Sequence, residues 1–317
     1  MQTMTIARRQ QVDLAITPYY HCVSRCVRRS FLCGRDPLTS RSYEHRRTWL
    51  EKRIHKLATI YCIDICAYAV MSNHYHLVVH INKDKALALS DKEVIERWSQ
   101  EHKIDPFIAQ FENLQQPNHL ALEQYHKLIE KWRERLYSLS WMMKELNMSI
   151  AFLANKEDEC TGHFWEGRYK SQALLDEKAL LAAMTYVDLN PVRARIVETP
   201  EDADHTSLKL RINALKQNQA TPEVLYPFVG VQKNVQGLPF RLKDYLEWVD
   251  WMGKQTAFQS AEQESPRILE RLGIDDSHFV STCTQIEKRG CLWIGTQSTL
   301  HTAKVSLNKQ RIQGVIV

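Results

Sequence analysis

The first 200 residues divide into short stretches of alternating side chains and longer amphipathic ones. Alternation in "PYYHCVSRCV" (18–27) predicts a strand, because successive side chains of a strand point to opposite faces. A basic amphipathic segment from about 42 to 58 predicts a helix. Two β-branched and aromatic runs, "IYCIDICAYAVM" and "HYHLVVHI", flank a Ser-Asn pair and predict an antiparallel hairpin.

The pattern then becomes mainly helical. Residues 83–120 are polar and irregular, which predicts an insertion with some helix. Residues 121–154 lack Gly and Pro and repeat apolar residues at spacings of three and four, which predicts one long helix or two. The stretch 162–175, "GHFWEGRYKSQALL", predicts an aromatic and basic strand. Asp176 should then cap a helix that runs toward Asn190 and is stopped by the proline after it.

This order of elements favours an α+β fold, with helices on one face of a small antiparallel sheet. Beyond about residue 200 the sequence changes to short helical pieces, such as "DYLEWVDWMGK", separated by Gly and Pro loops. We therefore expect one domain over residues 1–205 and a separate, mainly helical C-terminal extension over 206–317. In that extension, Trp248, Trp251 and Trp293 should form a small core.

Composition places the chain among folded proteins outside the membrane. It is 44% hydrophobic and 25% charged, and it has neither a long apolar run nor an apolar N-terminal signal. We expect a cytoplasmic location without membrane association. The net charge of +5 is compatible with an anionic partner. Basic residues concentrated between positions 28 and 56, interleaved with Phe31, Tyr43 and Trp49, indicate either a nucleic-acid surface or an ordinary solvated helix face.

The eight cysteines contain no Cys-x-x-Cys pair. They are typical of reduced, buried thiols. Two pairs, Cys22/Cys26 and Cys62/Cys66, have a spacing of four, which on a strand puts both members on one face. A zinc site built from these pairs is the alternative.

The stretch "MSNHYHLVVH" contains the most informative polar residues. His74 and His76 lie two apart on a predicted strand, so both point to one face about 6.6 Å apart while Tyr75 points to the other. Two imidazoles at this spacing can converge on one metal ion. His80 shares the face but lies too far along the strand to join them. A His-x-His pair alone is a weak signal, and a structural role is the alternative.

The predicted helix in "MTYVDLNPVRARIV" offers partners for the histidines. Tyr186 and Asn190 are four residues apart, so a phenol and an amide project side by side on one flank. The alternatives are a half-buried aromatic ring for Tyr186 and an ordinary helix end for Asn190.

Three stretches together resemble a known family: "MSNHYHLVVHI", "LNMSIAFLANKEDECTGHFWEGRYKS" and "YVDLNPVRARIV". They resemble the HUH single-strand DNA transposases of insertion sequences, above all the REP-associated tyrosine transposases. The resemblance covers roughly residues 15–205, and its motifs occur in the family's order. Two positions depart from the family pattern: Ser72 stands where relatives usually have proline, and Tyr75 where an aliphatic residue is commoner.

The resemblance implies a ferredoxin-like sheet in residues 1–205, which would form the catalytic domain. It implies that His74 and His76 are metal ligands, that Tyr186 is the nucleophile and that Asn190 completes the metal site. The implied reaction is metal-dependent cleavage and rejoining of single-stranded DNA beside hairpins, through a 5′-phosphotyrosine intermediate, with Mg²⁺ or Mn²⁺ as the ion.

Candidate DNA contacts are basic residues near these motifs. Arg168 and Lys170 alternate with aromatic rings in "FWEGRYKS", a pattern suited to pairing with phosphates and stacking on unpaired bases. Arg193 and Arg195 follow the predicted nucleophile, and Arg25 lies on the first strand. An ordinary solvent-facing charge is the alternative for each.

Two other functions remain open on this sequence. One is a domesticated DNA-binding protein that acts at chromosomal palindromic repeats without cutting. The other is a hydrolytic metalloenzyme with an incidental tyrosine, which would need an acidic ligand near the histidines, and the hairpin offers only Asp64. Monomer and homodimer are both compatible with the sequence.

Overall fold

The computed structural model describes most of the chain, in segments that together form six strands and thirteen helices. The described residues are 11–27, 32–36, 39–111, 113–230, 232, 235–258, 266–274, 276–287 and 291–317. The strands are β1 (Tyr19–Arg25), β2 (Ile63–Val70), β3 (His74–Ile81), β4 (Lys170–Leu174), β5 (Trp293–Gly295) and β6 (Gly314–Ile316). The helices up to the sheet's fourth strand are α1 (His45–Ile60), α2 (Lys83–Ala88), α3 (Asp91–Ser99), α4 (Pro106–Phe111), α5 (His119–Leu136) and α6 (Leu139–Glu157). The later helices are α7 (Glu177–Asp188), α8 (Asn190–Arg193), α9 (Ser207–Lys216), α10 (Leu242–Phe258), α11 (Arg267–Leu272), α12 (Asp276–Gln285) and α13 (Gln297–Ser306).

The strands form one sheet in the order β2-β3-β1-β4-β5-β6. The first four strands pair antiparallel, with β1 between β3 and β4. With α1 after β1 and α6 before β4, this is the ferredoxin-like arrangement, so the predicted α+β class is confirmed. The C-terminal region adds β5 and β6, which pair parallel to β4 and to each other.

Helices cover both faces of the sheet. Leu50 and Ile54 of α1 and Leu146 of α6 pack on the face that receives Leu77 of β3, as predicted. The opposite face, which receives Val78, is covered by α7 and by helices of the C-terminal region. We predicted helices on one face only, and this describes the layer formed by α1 and α6. A second layer covers the other face, because the central strands are apolar on both sides.

The predicted hairpin of β2 and β3 is present, and it contains a β-bulge between Ile65 and Ala67. The bulge changes which face the side chains occupy, since one extra residue shifts the alternation. Cys62 is not affected by the bulge, since it precedes β2 in the turn after α1 and packs in the core on one face, whereas Cys66 of β2 packs in the core on the other face. The predicted common face was wrong for this pair.

The helices predicted between β3 and β4 are present, but they begin and end at other residues than predicted. The insertion forms α2, α3 and α4, and the long helical stretch is two helices, α5 and α6, which meet at Tyr137 and Ser138. The predicted strand 162–175 is shorter, since only Lys170–Leu174 forms β4.

The C-terminal region packs against the sheet and α7. Trp248 and Trp251 stack with ring centroids 5.4 Å apart on the α7 side. Trp293 lies in the core on the other face, so the three tryptophans do not form one small core. The division at residue 205 stays a prediction. None of the helices among the described residues combines the length and apolar character needed to cross a bilayer.

Candidate active site where the third strand meets the seventh helix

Strand β3 places both motif histidines on the α7 side of the sheet. Tyr75 points to the opposite core, where its hydroxyl donates to Asn147 Oδ1 at 2.7 Å. His76 is fully buried and His74 is half-buried, with ring centroids 4.7 Å apart. The predicted common face of the two histidines is confirmed. A 2.6 Å hydrogen bond joins His74 Nδ1 to Asn73 Oδ1, which leaves Nε2 of that ring as its second nitrogen for a ligand.

Helix α7 places the phenol of Tyr186 against these rings. Asp176 caps the helix as predicted, since its side chain accepts a hydrogen bond from the Ala179 backbone N–H. The Tyr186 ring lies 5.4 Å from the His76 ring, centroid to centroid. Asn190 begins the short helix α8, with a proline in its first turn, so this proline starts a helix where we expected it to end one. The Asn190 Nδ2 atom lies 3.0 Å from His76 Nε2.

Glu287 is a member of the site that sequence reasoning missed. It follows α12, and its Oε2 accepts a 2.9 Å hydrogen bond from the Tyr186 hydroxyl. Its Oε1 forms a 3.0 Å ion pair with Arg25 of β1. Glu287 and Tyr186 are 101 residues apart in the chain, so no local pattern in the sequence indicates their contact.

Behind His76 lies a second pair of buried polar residues that sequence reasoning also missed. His21 Nε2 lies 3.0 Å from His76 Nδ1, and His21 Nδ1 lies 2.7 Å from Gln172 Oε1. His21 and Gln172 are register partners on β1 and β4. The sequence does show His21 within a predicted strand. It does not show how β1 aligns with β3, and this alignment brings His21 beside His76.

Burial keeps the two motif imidazoles neutral. Removal from water, and after it the nearby Arg25 guanidinium, lower the pKa of His74 to about 4. Burial, followed by the neighbouring His74, lowers the pKa of His76 well below its ordinary value. Neutral imidazoles have the lone pair that a metal ion requires, so both rings are prepared for ligation at neutral pH.

The pKa values of Tyr186, the candidate nucleophile, and of Glu287, which accepts its hydrogen bond, are shifted in opposite directions. Burial raises the pKa of Tyr186 above its ordinary value, and the adjacent Glu287 carboxylate raises it further. The pKa of Glu287 is lowered: burial raises it, but the hydrogen bond from Tyr186 and the ion pair with Arg25 lower it. At neutral pH the site thus holds a protonated phenol that donates to an ionised carboxylate.

The donor set fits a divalent metal ion. Among the described residues, one group of His, Cys, Asp and Glu side chains converges for this purpose: a ring nitrogen each from His74 and His76 and a carboxylate oxygen from Glu287, all within 4.8 Å of one another. The Asn190 amide touches the same His76 nitrogen. Two imidazoles with oxygen donors suit Mn²⁺ and related ions. Neither cysteine pair belongs to such a group in the described part of the chain, which argues against the zinc alternative.

The five predicted DNA contacts lie in different environments. Arg193 lies over the Tyr186 ring at 4.7 Å, and its Nη1 is buried without a hydrogen-bond partner among the described residues. Arg25 is held by Glu287 and is partly exposed. Arg195, Arg168 and Lys170 are exposed. Lys170 shares a sheet face with Gln172 by alternation, so it lies on the α7 side.

Two aromatic residues of the predicted stacking strip are not available to bases. Phe164 and Tyr169 are buried in the core, and Trp165 is half-buried with its Nε1 donating to the Asn147 backbone oxygen. The stacking prediction was wrong for Phe164 and Tyr169, because the strip turns its rings inward beside β1.

Some of the basic side chains in the stretch 28–56 are buried and form ion pairs within the protein. Arg46 is buried and pairs with Glu157 and Asp158, and Arg47 pairs with Glu44. A nucleic-acid role is therefore excluded for these two buried arginines in this conformation. Residues 28–31, including Phe31, lie outside the described residues.

Comparisons with known proteins add little to this geometry. No family model and no curated protein matches the chain. Among solved structures, the chain is similar to a REP-associated tyrosine transposase bound to a REP hairpin, with a TM-score of 0.39 and 14% identity, over 74% of this chain and 97% of that one. A TM-score this low carries no functional argument, so function is inferred from the site.

Proposed function

We propose that this protein is a metal-dependent tyrosine transferase that cleaves and rejoins single-stranded DNA beside hairpins. One observation carries the proposal: residues of two sequence motifs that are far apart in the chain meet in one place. The phenol of Tyr186 and the amide of Asn190 both lie against His76 of β3. A purely structural tyrosine would not need two metal-competent imidazoles and an ionised proton acceptor at its hydroxyl.

The covalent step uses residues of this chain. The Tyr186 oxygen forms a bond to phosphorus, and the bond between phosphorus and the 3′ oxygen breaks. The phenol proton passes to the Glu287 carboxylate, which already accepts the Tyr186 hydrogen bond. Glu287 then gives this proton to the leaving 3′ oxygen, which ends as a hydroxyl, so the step balances without a further reactant. Rejoining is the reverse reaction.

The charge that develops on the phosphate needs stabilisation. His74, His76 and Glu287 are the residues that would hold a divalent ion, and the ion would act as a Lewis acid on the scissile phosphate. Asn190 would join them through its Oδ1 once its amide turns from the present hydrogen bond between Nδ2 and His76. Arg193 would add a positive charge beside the nucleophile, since its free Nη1 lacks a partner among the described residues. The exposed Arg168, Lys170 and Arg195 would hold the flanking backbone.

The test is formation of a covalent adduct. Purified protein is incubated with labelled single-stranded oligonucleotides that carry hairpins, with Mn²⁺ or Mg²⁺, and separated on denaturing gels. We expect a metal-dependent adduct that is lost in Tyr186→Phe and in His76→Ala. Tyr226→Phe is the matched control, because it removes another buried hydroxyl, that of a ring stacked on His80.

Glu287 also favours a second candidate, a hydrolytic metalloenzyme, because it is the acidic neighbour that such an enzyme needs. The expected acid Asp64 instead pairs with His80 at 2.8 Å. A hydrolase would release cleaved DNA without an adduct and would keep its activity in Tyr186→Phe. Hairpin binding with neither cleavage nor adduct, over several hairpins and both metals, would instead identify a non-cutting DNA-binding protein.

A further inference from the structure

A line of hydrogen bonds crosses three strands behind the candidate metal site. It begins at Gln172 on β4, passes through His21 on β1 and ends at His76 on β3. His21 and His76 are fully buried, and Gln172 is nearly so. The proposed function does not use His21 or Gln172, and neither side chain belongs to the candidate metal ligands.

The direction of this line is fixed at its first member. Gln172 Nε2 lies 3.0 Å from the Cys291 carbonyl oxygen and 3.3 Å from that of Ile286. Carbonyl oxygens only accept hydrogen bonds, so the amide NH₂ must face them. The Gln172 Oε1 atom then faces His21 Nδ1, and because this oxygen can only accept, His21 must have its proton on Nδ1.

The position of the proton on His21 determines the position of the proton on the next ring, His76. His21 is fully buried, and because its proton is on Nδ1, its second ring nitrogen, Nε2, has the lone pair and accepts a hydrogen bond. The partner of that Nε2 at 3.0 Å is His76 Nδ1, which must therefore be the donor. At the other end of the line, Asn190 Nδ2 lies 3.0 Å from His76 Nε2, and because an amide nitrogen only donates, this Nε2 has the lone pair and the His76 proton is on Nδ1.

We infer that His21 and Gln172 are positioning residues that fix the tautomer of His76, so that its Nε2 is presented to a divalent metal ion. The inference rests on the metal site of the proposed function. The hydrogen-bond line selects which nitrogen of the His76 ring carries the proton. Because the two carbonyls come from the segment around Ile286 and Cys291, the C-terminal region sets the orientation of the whole line. Partners of this kind typically change metal affinity about 10–100-fold.

The test compares two substitutions at one position. His21→Gln keeps an acceptor at the end of the side chain, whereas His21→Leu removes it. Mn²⁺ affinity is measured by calorimetry on the full chain, and the His76 tautomer by ¹⁵N NMR of the metal-free protein. We expect His21→Leu to lose about 10–100-fold in affinity and to place some of the His76 proton on Nε2, and His21→Gln to lose less than about tenfold.

Gln172→Met provides a second variant at a distance from His76. It should also weaken Mn²⁺ binding, while Ser171→Ala, the neighbour on the opposite face of β4, should not. Thermal melts show whether each variant is folded. Equal affinities of His21→Leu and His21→Gln, or a wild-type His76 protonated on Nε2, would overturn the inference. A wild type that binds no Mn²⁺ yet has the Nδ1 proton would refute the metal site alone.

Discussion

Single residues divide into those with roles visible in local sequence and those without. His74, Tyr75 and His76 were correctly assigned to opposite faces, because alternation along a strand depends only on neighbours. Tyr186 and Asn190 were correctly placed on a common flank. Glu287 was not foreseen, because its contact with Tyr186 spans 101 residues and depends on how the C-terminal region packs.

At this scale the decisive substitution is Glu287→Gln. It removes a negative charge that lies against the Tyr186 hydroxyl, so the pKa of Tyr186 should fall toward its ordinary value, although burial keeps it raised. It also removes a carboxylate from the ligand group, so Mn²⁺ affinity should fall by about tenfold or more. Calorimetry and NMR of the tyrosine Cζ carbons measure the two effects.

The control for Glu287→Gln is Glu198→Gln, an exposed carboxylate on the loop after α8. It should change neither quantity. Unchanged Mn²⁺ binding in Glu287→Gln, together with a lowered Tyr186 pKa, would leave Glu287 as a proton acceptor and remove it from the metal site.

At the scale of elements, the sequence predicted which strands and helices exist better than how they align. The helix cap at Asp176 and the hairpin were recognisable because their signals are local. The register of β1 against β3 and β4, which sets His21 beside His76 and Gln172, depends on packing across the sheet.

Helix α1 is attached to β2 and to the segment before α9 through Glu51. Its carboxylate accepts hydrogen bonds from the Tyr68 hydroxyl at 2.6 Å and from His205 Nδ1 at 2.8 Å. Burial raises the pKa of Glu51, but the hydrogen bonds from His205 and Tyr68 outweigh it, so the pKa lies below its ordinary value of 4.5. The stabilisation is therefore present above pH 4.5 and is lost as the pH falls through the lowered value.

Glu51→Gln should reduce the free energy of unfolding at pH 7 by about 1.5–3 kcal/mol, the range for hydrogen bonds to a charged group. The difference from wild type should shrink in acid below the ordinary pKa of a glutamate. Urea unfolding at several pH values measures both quantities, with the exposed Glu134→Gln as a control that should have little effect at any pH. A difference that stays constant with pH would show that the Glu51 charge contributes nothing.

At the scale of the whole molecule, strand pairing and side-chain hydrogen bonds join the C-terminal region to the ferredoxin-like sheet and α7. Strand β5 pairs with β4, the Ile286 and Cys291 carbonyls bind Gln172, and Glu287 binds Tyr186. The sequence predicted a separate extension because its composition changes near residue 200. Composition does not reveal that the α7 side of the sheet is apolar and needs this cover.

These connections predict that the whole chain unfolds as one unit, and Trp248→Ala tests this from within the C-terminal region. Trp248 is fully buried, and its Nε1 donates to Thr185 Oγ1 of α7 at 2.7 Å. Its truncation should cost about 3–5 kcal/mol. Melts followed by circular dichroism and by a fluorescent label near α1 should show one transition that moves to lower temperature with both probes, whereas the exposed Val305→Ala should leave it in place. Two transitions, with Trp248→Ala shifting only one, would mean that residues 206–317 fold independently and that Glu287 reaches Tyr186 across a boundary between domains.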